Sequence, residues 1–123
     1  MMEKLVSIRG AITVKENSLL EIKNATKQLI SELFNQNKID KSQITNIIFT
    51  VTDDLDLLNP ATVAREEFKL GNVPMLCVQE MKLKKGLPLC IRILMQAYSS
   101  DLQMKHVYLG EAANLRPDLS FEI

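Results

Sequence analysis

The chain has 123 residues, 46% hydrophobic and 24% charged, a balance that excludes intrinsic disorder and predicts a single domain over residues 1–123. Fifteen Lys and Arg offset fifteen Asp and Glu, so the zero net charge gives no electrostatic reason to expect nucleic acid or an anionic membrane as a partner. Two cysteines outside any Cys-x-x-Cys pair and one histidine argue against a structural zinc site, and no run approaches the roughly 20 apolar residues of a membrane span, so the sequence reads as soluble and cytoplasmic with reduced thiols.

Leu5-Val6-Ser7-Ile8 and Ala11-Ile12-Thr13-Val14 flank Arg9-Gly10, which predicts a first strand whose end turns at the glycine. Ser18 precedes Glu21 by three, a capping-box spacing. Ile22, Ala25, Leu29 and Leu33 then recur at steps of three and four, with Thr26, Ile30 and Phe34 widening the stripe. An amphipathic helix is predicted from Ser18 to Asn37. The β-branched run from Ile47 to Thr52 predicts a buried strand, ended by Asp53-Asp54. Asn59-Pro60 supplies a cap and first position for a short helix through Phe68, which Gly71-Asn72 breaks. Further strands are predicted at Met75 to Gln79, Cys90 to Ala97 and Lys105 to Leu109, while the tail from Leu115 to Ile123 has no clear period. The order β-α-β-α-β-β-β implies an α+β domain, a mixed sheet with the long helix on one face. Oligomerisation would cover the edges and the open face of such a sheet.

Chemistry has few places to reside. No glycine-rich phosphate loop precedes a helix, no Ser/His/Asp set assembles and no metal-ligand cluster is spaced for an ion. Polar residues at strand ends and in the tail are the candidates: Arg9, Glu80, Arg92, Tyr108 and Arg116. Arg92 is the most informative, because it interrupts the apolar strand Cys90-Ile91-Arg92-Ile93-Leu94-Met95. A buried, unpaired charge there would cost several kcal/mol, so it requires a carboxylate or an anionic ligand. A structural ion pair with Glu80 satisfies that demand as well as a ligand does. Arg9 and Arg116 also fit solvated surface positions, Tyr108 an edge-strand packing role, His106 a strand-pairing position, and Cys77 a small core residue.

The sequence resembles the monofunctional chorismate mutases of the trimeric bacterial class over about Leu5 to Leu119. The resemblance rests on Ile8-Arg9-Gly10-Ala11 with Thr13-Val14, Thr52 with Asp54-Leu55-Asp56, and Pro60-Ala61 with Arg65. It continues through Cys77-Val78-Gln79-Glu80-Met81, Cys90-Ile91-Arg92, His106-Val107-Tyr108-Leu109 and Leu115-Arg116-Pro117-Asp118-Leu119. Each piece is weak alone; their order and spacing together are specific.

The resemblance implies a Bacillus chorismate mutase-like fold, a mixed sheet with two helices per subunit. Three subunits would close a trimeric pseudo-α/β barrel with a site at each interface. It implies conversion of chorismate to prephenate by a [3,3] rearrangement in phenylalanine and tyrosine biosynthesis, without cofactor or metal. By the same resemblance Arg92 faces the ether oxygen of the breaking bond, Arg9 a substrate carboxylate and Glu80 the ring hydroxyl. Tyr108 donates to a carboxylate, Cys77 sits near the hydroxyl, and Arg65 and Arg116 add positive potential. Ala61 and Leu115 join the contact set. Departures fall at Asn59, where close members carry an aromatic residue, at Thr62, where some carry lysine, and at Met75-Leu76, which replace smaller or more polar wall residues. Two rivals are a trimeric imine hydrolase of the Rid type and a regulatory domain that binds the ligand without turnover.

Overall fold

The computed structural model describes residues 2–114. Its first strand, β1 (Lys4–Thr13), runs straight through Gly10 instead of turning there. Gly10 pairs with Ile93 on one side and Val107 on the other. A Cβ at this position would lie 3.0 Å from Leu29 Cδ1 and 3.1 Å from both Ile93 Cγ2 and the Val107 carbonyl. The glycine therefore lets the long helix press against the strand, a role whose sequence signature is the same as a turn's.

That helix, α1 (Leu19–Gln36), starts where the capping residue requires it: the Ser18 hydroxyl accepts from the Glu21 N–H at 3.1 Å. Ile22, Ala25, Thr26, Leu29, Ile30 and Leu33 form its buried stripe, and the Thr26 hydroxyl is satisfied by the Ile22 carbonyl at 2.7 Å. Asn37 ends the helix and fastens it to distant backbone. Its amide donates to the carbonyls of Leu33 and Lys105, at 3.0 and 2.9 Å, while its oxygen accepts from Lys105 N–H at 2.7 Å.

Strand β2 (Ile44–Val51) begins three residues before the expected run, and its pairing shifts register between Ile44 and Asn46. Helix α2 (Pro60–Phe68) has Asn59 as its cap, with the Asn59 oxygen accepting from Ala61 N–H at 2.9 Å, and Lys69 in the left-handed conformation closes it. Strand β3 (Met75–Gln79) has the expected bounds, β4 (Cys90–Ser99) runs two residues further, and β5 (Val107–Leu109) is two residues shorter. Past β5 the chain enters a 3-10 turn, Gly110–Asn114.

The five strands lie in the order β3-β2-β4-β1-β5. Strand β4 is antiparallel to both β1 and β2, whereas the outer pairs β2–β3 and β1–β5 are parallel. The sheet is thus mixed, as expected. Both helices pack on one face, over Ile8, Ile12, Ile47, Phe49, Ile91, Ile93, Met95, Val107 and Leu109. The alternation of side chains along each strand sends Thr50, Arg92, Ala11 and Tyr108 to the opposite face. Neither α1 nor α2 covers that face; the 3-10 turn packs Ala112 over Ala11, Cys90 and Tyr108 at one side of it, while Leu5, Leu76, Val78 and Tyr98 are exposed on it. The second strand, expected to be buried, is buried on the helix face and only half-buried on the other. Among the described residues, no helix is long and apolar enough to cross a membrane.

Candidate active site

A single row of in-register residues crosses the face away from α1 and α2: Val78 on β3, Thr50 on β2, Arg92 on β4, Ala11 on β1 and Tyr108 on β5. The arginine expected to need a partner has one. Arg92 Nε lies 3.2 Å from Glu80 Oε1, with the two side chains 32% and 31% exposed. The Thr50 hydroxyl donates to the same oxygen at 2.8 Å. Glu80 sits just past the end of β3, where its backbone N–H donates to the Val51 carbonyl at 2.8 Å. Glu80 thereby reaches across β2 to the arginine. The Nε–H is not well aimed at the carboxylate, so the contact is an ion pair without a well-formed hydrogen bond.

These residues open into a cleft of about 530 Å³. Glu80 and Arg92 line it beside Thr52, Asp53 and Asp54 and the β3–β4 loop, which contributes Lys82 and Lys84. Lys82 pairs with Asp53 at 3.3 Å near the surface. Tyr108 is almost completely buried against Ala11, Cys90 and Ala112, and its hydroxyl has no hydrogen-bond partner among the described residues. A buried hydroxyl in that state is a donor in want of an acceptor. Arg9 is exposed on the same face of β1 as Ala11, and its backbone N–H donates to His106 Nδ1 at 3.0 Å.

The other expected contact residues gather elsewhere. Asn59 and Cys77 line a second hollow of about 300 Å³, with Val51, Leu55, Leu57 and Leu58. Cys77 pairs with Phe49 and so belongs to the helix side of the sheet, as does Met75; Leu76 between them faces the other way and is exposed. Within one chain Met75 and Leu76 cannot wall the same cavity. Ala61 is buried, and the Asn59 oxygen is used in capping α2. The Thr62 hydroxyl accepts from Arg65 Nη2 at 3.4 Å on the exposed flank of α2. Leu115 and Arg116 lie outside the described residues. The structure thus brings Arg92 and Glu80 into one cleft, keeps Arg9 and Tyr108 on the same sheet face, and sets Asn59, Cys77, Ala61, Thr62 and Arg65 apart.

Neither thiol is a ready nucleophile. Burial pushes Cys77 up. Burial also raises Cys90, where Arg92 pulls the other way and the Glu80 and Asp54 charges add to the rise. Among the described residues no three His, Cys, Asp or Glu side chains are grouped to hold a metal. Around the cleft Arg92, Lys82 and Lys84 stand with Glu80, Asp53 and Asp54, so it offers a fixed cation beside carboxylate acceptors, which suits holding and polarising a small polar ligand. Thr50 was missed in the sequence because only the β2–β4 register reveals that it shares a face with Arg92.

Comparison with known proteins identifies the chain as an isomerase. The family model for chorismate mutase type I matches residues 5–119, and the chain belongs to that family. It is a chorismate mutase. Among its relatives, the chorismate mutase AroH of Bacillus subtilis (strain 168) is 37% identical over 115 residues, covering 92% of this chain and 91% of the relative. The chorismate mutase AroH of Thermus thermophilus is 40% identical over 116 residues, covering 91% and 93%. A solved chorismate mutase from Clostridium thermocellum superposes with a TM-score of 0.83 at 36% identity, covering 88% of this chain and 97% of that one. The matches give no support to an imine hydrolase or to a domain that binds without turnover.

Proposed function

We propose that this chorismate mutase works in the cytoplasm as a homotrimer whose three active sites lie between subunits, with Arg92 as the residue that stabilises the transition state. The carrying observation is Arg92 itself: a permanent cation within strand β4, two residues from its start, held by Glu80 in a cleft. A [3,3] rearrangement breaks one C–O bond and makes one C–C bond within the same molecule, with no proton, nucleophile or redox partner. The enzyme has two tasks. It must hold the enolpyruvyl arm over the ring in a chair-like geometry, an orientation effect. It must also stabilise the negative charge that grows on the ether oxygen as the C–O bond lengthens ahead of bond formation.

An arginine aimed at that oxygen binds the transition state more strongly than the ground state, which is the condition for raising the rate. Arginine suits the role because it stays charged and its donors are rigid. One such contact supplies about 3 to 4 kcal/mol on the scale of a lost oxyanion-hole donor. In this reading Glu80 accepts from the ring hydroxyl while orienting Arg92. Arg9 and the Tyr108 hydroxyl, which has no partner among the described residues, take a substrate carboxylate, and Arg65 and Arg116 add positive potential.

The division of the contact residues supports a shared site. Asn59, Ala61, Thr62, Arg65, Met75 and Cys77 lie around α2 and the helix side of β3, away from the Arg92 cleft, and a second subunit docked on the exposed face would present its own copies there. The exposed Leu76 and Val78 are consistent with a face that becomes covered. Mixing two impaired proteins tests this. Arg92→Ala and Arg65→Glu chains, refolded together, should regain turnover above either parent, because some mixed sites receive both wild-type residues. Light scattering should give three times the 13.9 kDa chain mass. A mixture no more active than its parents, or a monomer mass, would overturn the shared site.

A further inference from the structure

We propose that Asp54 is a positioning residue for Arg92, acting through a strained turn at the start of β4; this rests on the role of Arg92 given above. Leu89, the residue before β4, has φ +52, and among the described residues only Lys69 is another non-glycine with positive φ. Lys69 closes helix α2, where a left-handed residue is a common terminator. Leu89 closes no helix, and a branched side chain disfavours that conformation, so neighbouring structure must hold it.

Asp54 does so. The Leu89 N–H donates to both carboxylate oxygens, at 3.2 Å to Oδ1 and 3.0 Å to Oδ2. The Thr52 hydroxyl donates to Oδ1 and in turn accepts from the Cys90 N–H at 3.0 Å. The Thr52 N–H donates to the Cys90 carbonyl at 3.1 Å, and the Leu89 carbonyl accepts from Val14 N–H at 2.7 Å. The carboxylate therefore ties the end of β2 to the turn before β4, and the Leu89 carbonyl carries the link on to the chain leaving β1.

The next rung of the ladder on this face is Thr50 opposite Arg92. Thr50 and Arg92 converge on one oxygen of Glu80, so a shift of the Thr52–Cys90 rung moves both partners of that carboxylate. Asp54 also lines the Arg92 cleft, yet its oxygens are engaged by the Leu89 N–H and the Thr52 hydroxyl. A second negative charge pointed at an anionic substrate would oppose binding. Engaged in this way, the carboxylate acts on the backbone and not on the substrate.

Glycine adopts positive φ without the steric penalty, so it can replace the carboxylate's grip on the turn. In purified full-length protein assayed with chorismate, Asp54→Ala should lower kcat about ten- to a hundredfold while KM changes less than about threefold. Adding Leu89→Gly should recover about tenfold of the loss, and Leu89→Gly alone should keep kcat within about twofold of wild type. A kcat for Asp54→Ala within about twofold of wild type would overturn the proposal, as would a loss confined to KM or a double variant no faster than Asp54→Ala. If Asp54→Ala does not fold, the same comparison is made between Asp54→Asn and Asp54→Asn with Leu89→Gly, and absence of recovery there overturns it equally. Arg92→Ala in the same assay separates the two readings. Unchanged turnover removes Arg92 from the mechanism, whereas a collapse without glycine rescue of the Asp54 variants removes the positioning role alone.

Discussion

On the helix side of the sheet Ile8, Ile47, Phe49, Ile91 and Met95 are completely buried, and among the described residues no charged side chain joins them in the core. On the other side Thr50, Glu80, Arg92 and Arg9 stand among Leu5, Leu76 and Val78, which remain in solvent. Adjacent residues of the same strand serve the two sides: Ile91 and Ile93 flank Arg92 and point away from it. Because side chains alternate at every residue, a ten-residue strand can anchor a dry core and carry a cation without either compromising the other. Stability and chemistry are therefore separable by substitution, and each comparison below can break that claim.

The largest expected effect is on the core side. Phe49→Ala removes a fully buried ring and should cost about 3 to 5 kcal/mol of stability, read by chemical denaturation. Turnover of the fraction that stays folded should change little by comparison; a kcat loss as severe as that of a site residue would show that the faces are coupled. On the other side Glu80→Gln should lower kcat about tenfold or more by loosening Arg92 and weakening the ring-hydroxyl acceptor. Its stability should shift by less than about 1 kcal/mol, because the Arg92–Glu80 pair is about one-third exposed and solvent screens it. A large drop in melting temperature with turnover intact would make the pair structural, the plainer of the two roles open to it in the sequence.

What could be read in advance follows the same division. Helix α1 was legible because a capping serine and an apolar stripe are local signals, and both occur where expected. Strand β3 was legible from its short apolar run. Misreadings arose where a distant residue decided the outcome. Gly10 was taken for a turn, but its missing side chain makes room for Leu29. The start of β2 was missed because Ile44 joins the ladder across a register shift. Strand β5 came out short because Asn37 takes the Lys105 backbone groups and the His106 ring takes the Arg9 N–H, both in place of ladder partners.

In the site, the need of Arg92 for a carboxylate was legible from its apolar neighbours, and Glu80 meets it. Thr50 and the Asp54–Leu89 turn were not, since their roles exist only once β2 and β4 are in register. The opposite sides taken by Cys77 and Glu80, three residues apart, follow from the alternation along the predicted strand, whereas the separate hollows they line do not.

The account depends most on the cation that β4 carries near its start, Arg92. The most direct test measures kcat and melting temperature together for Arg92→Ala. We expect kcat to fall by about a hundred- to a thousandfold or more, the equivalent of about 3 to 4 kcal/mol of transition-state stabilisation. The melting temperature should stay within a few degrees of wild type. Turnover within about tenfold of wild type would contradict the account.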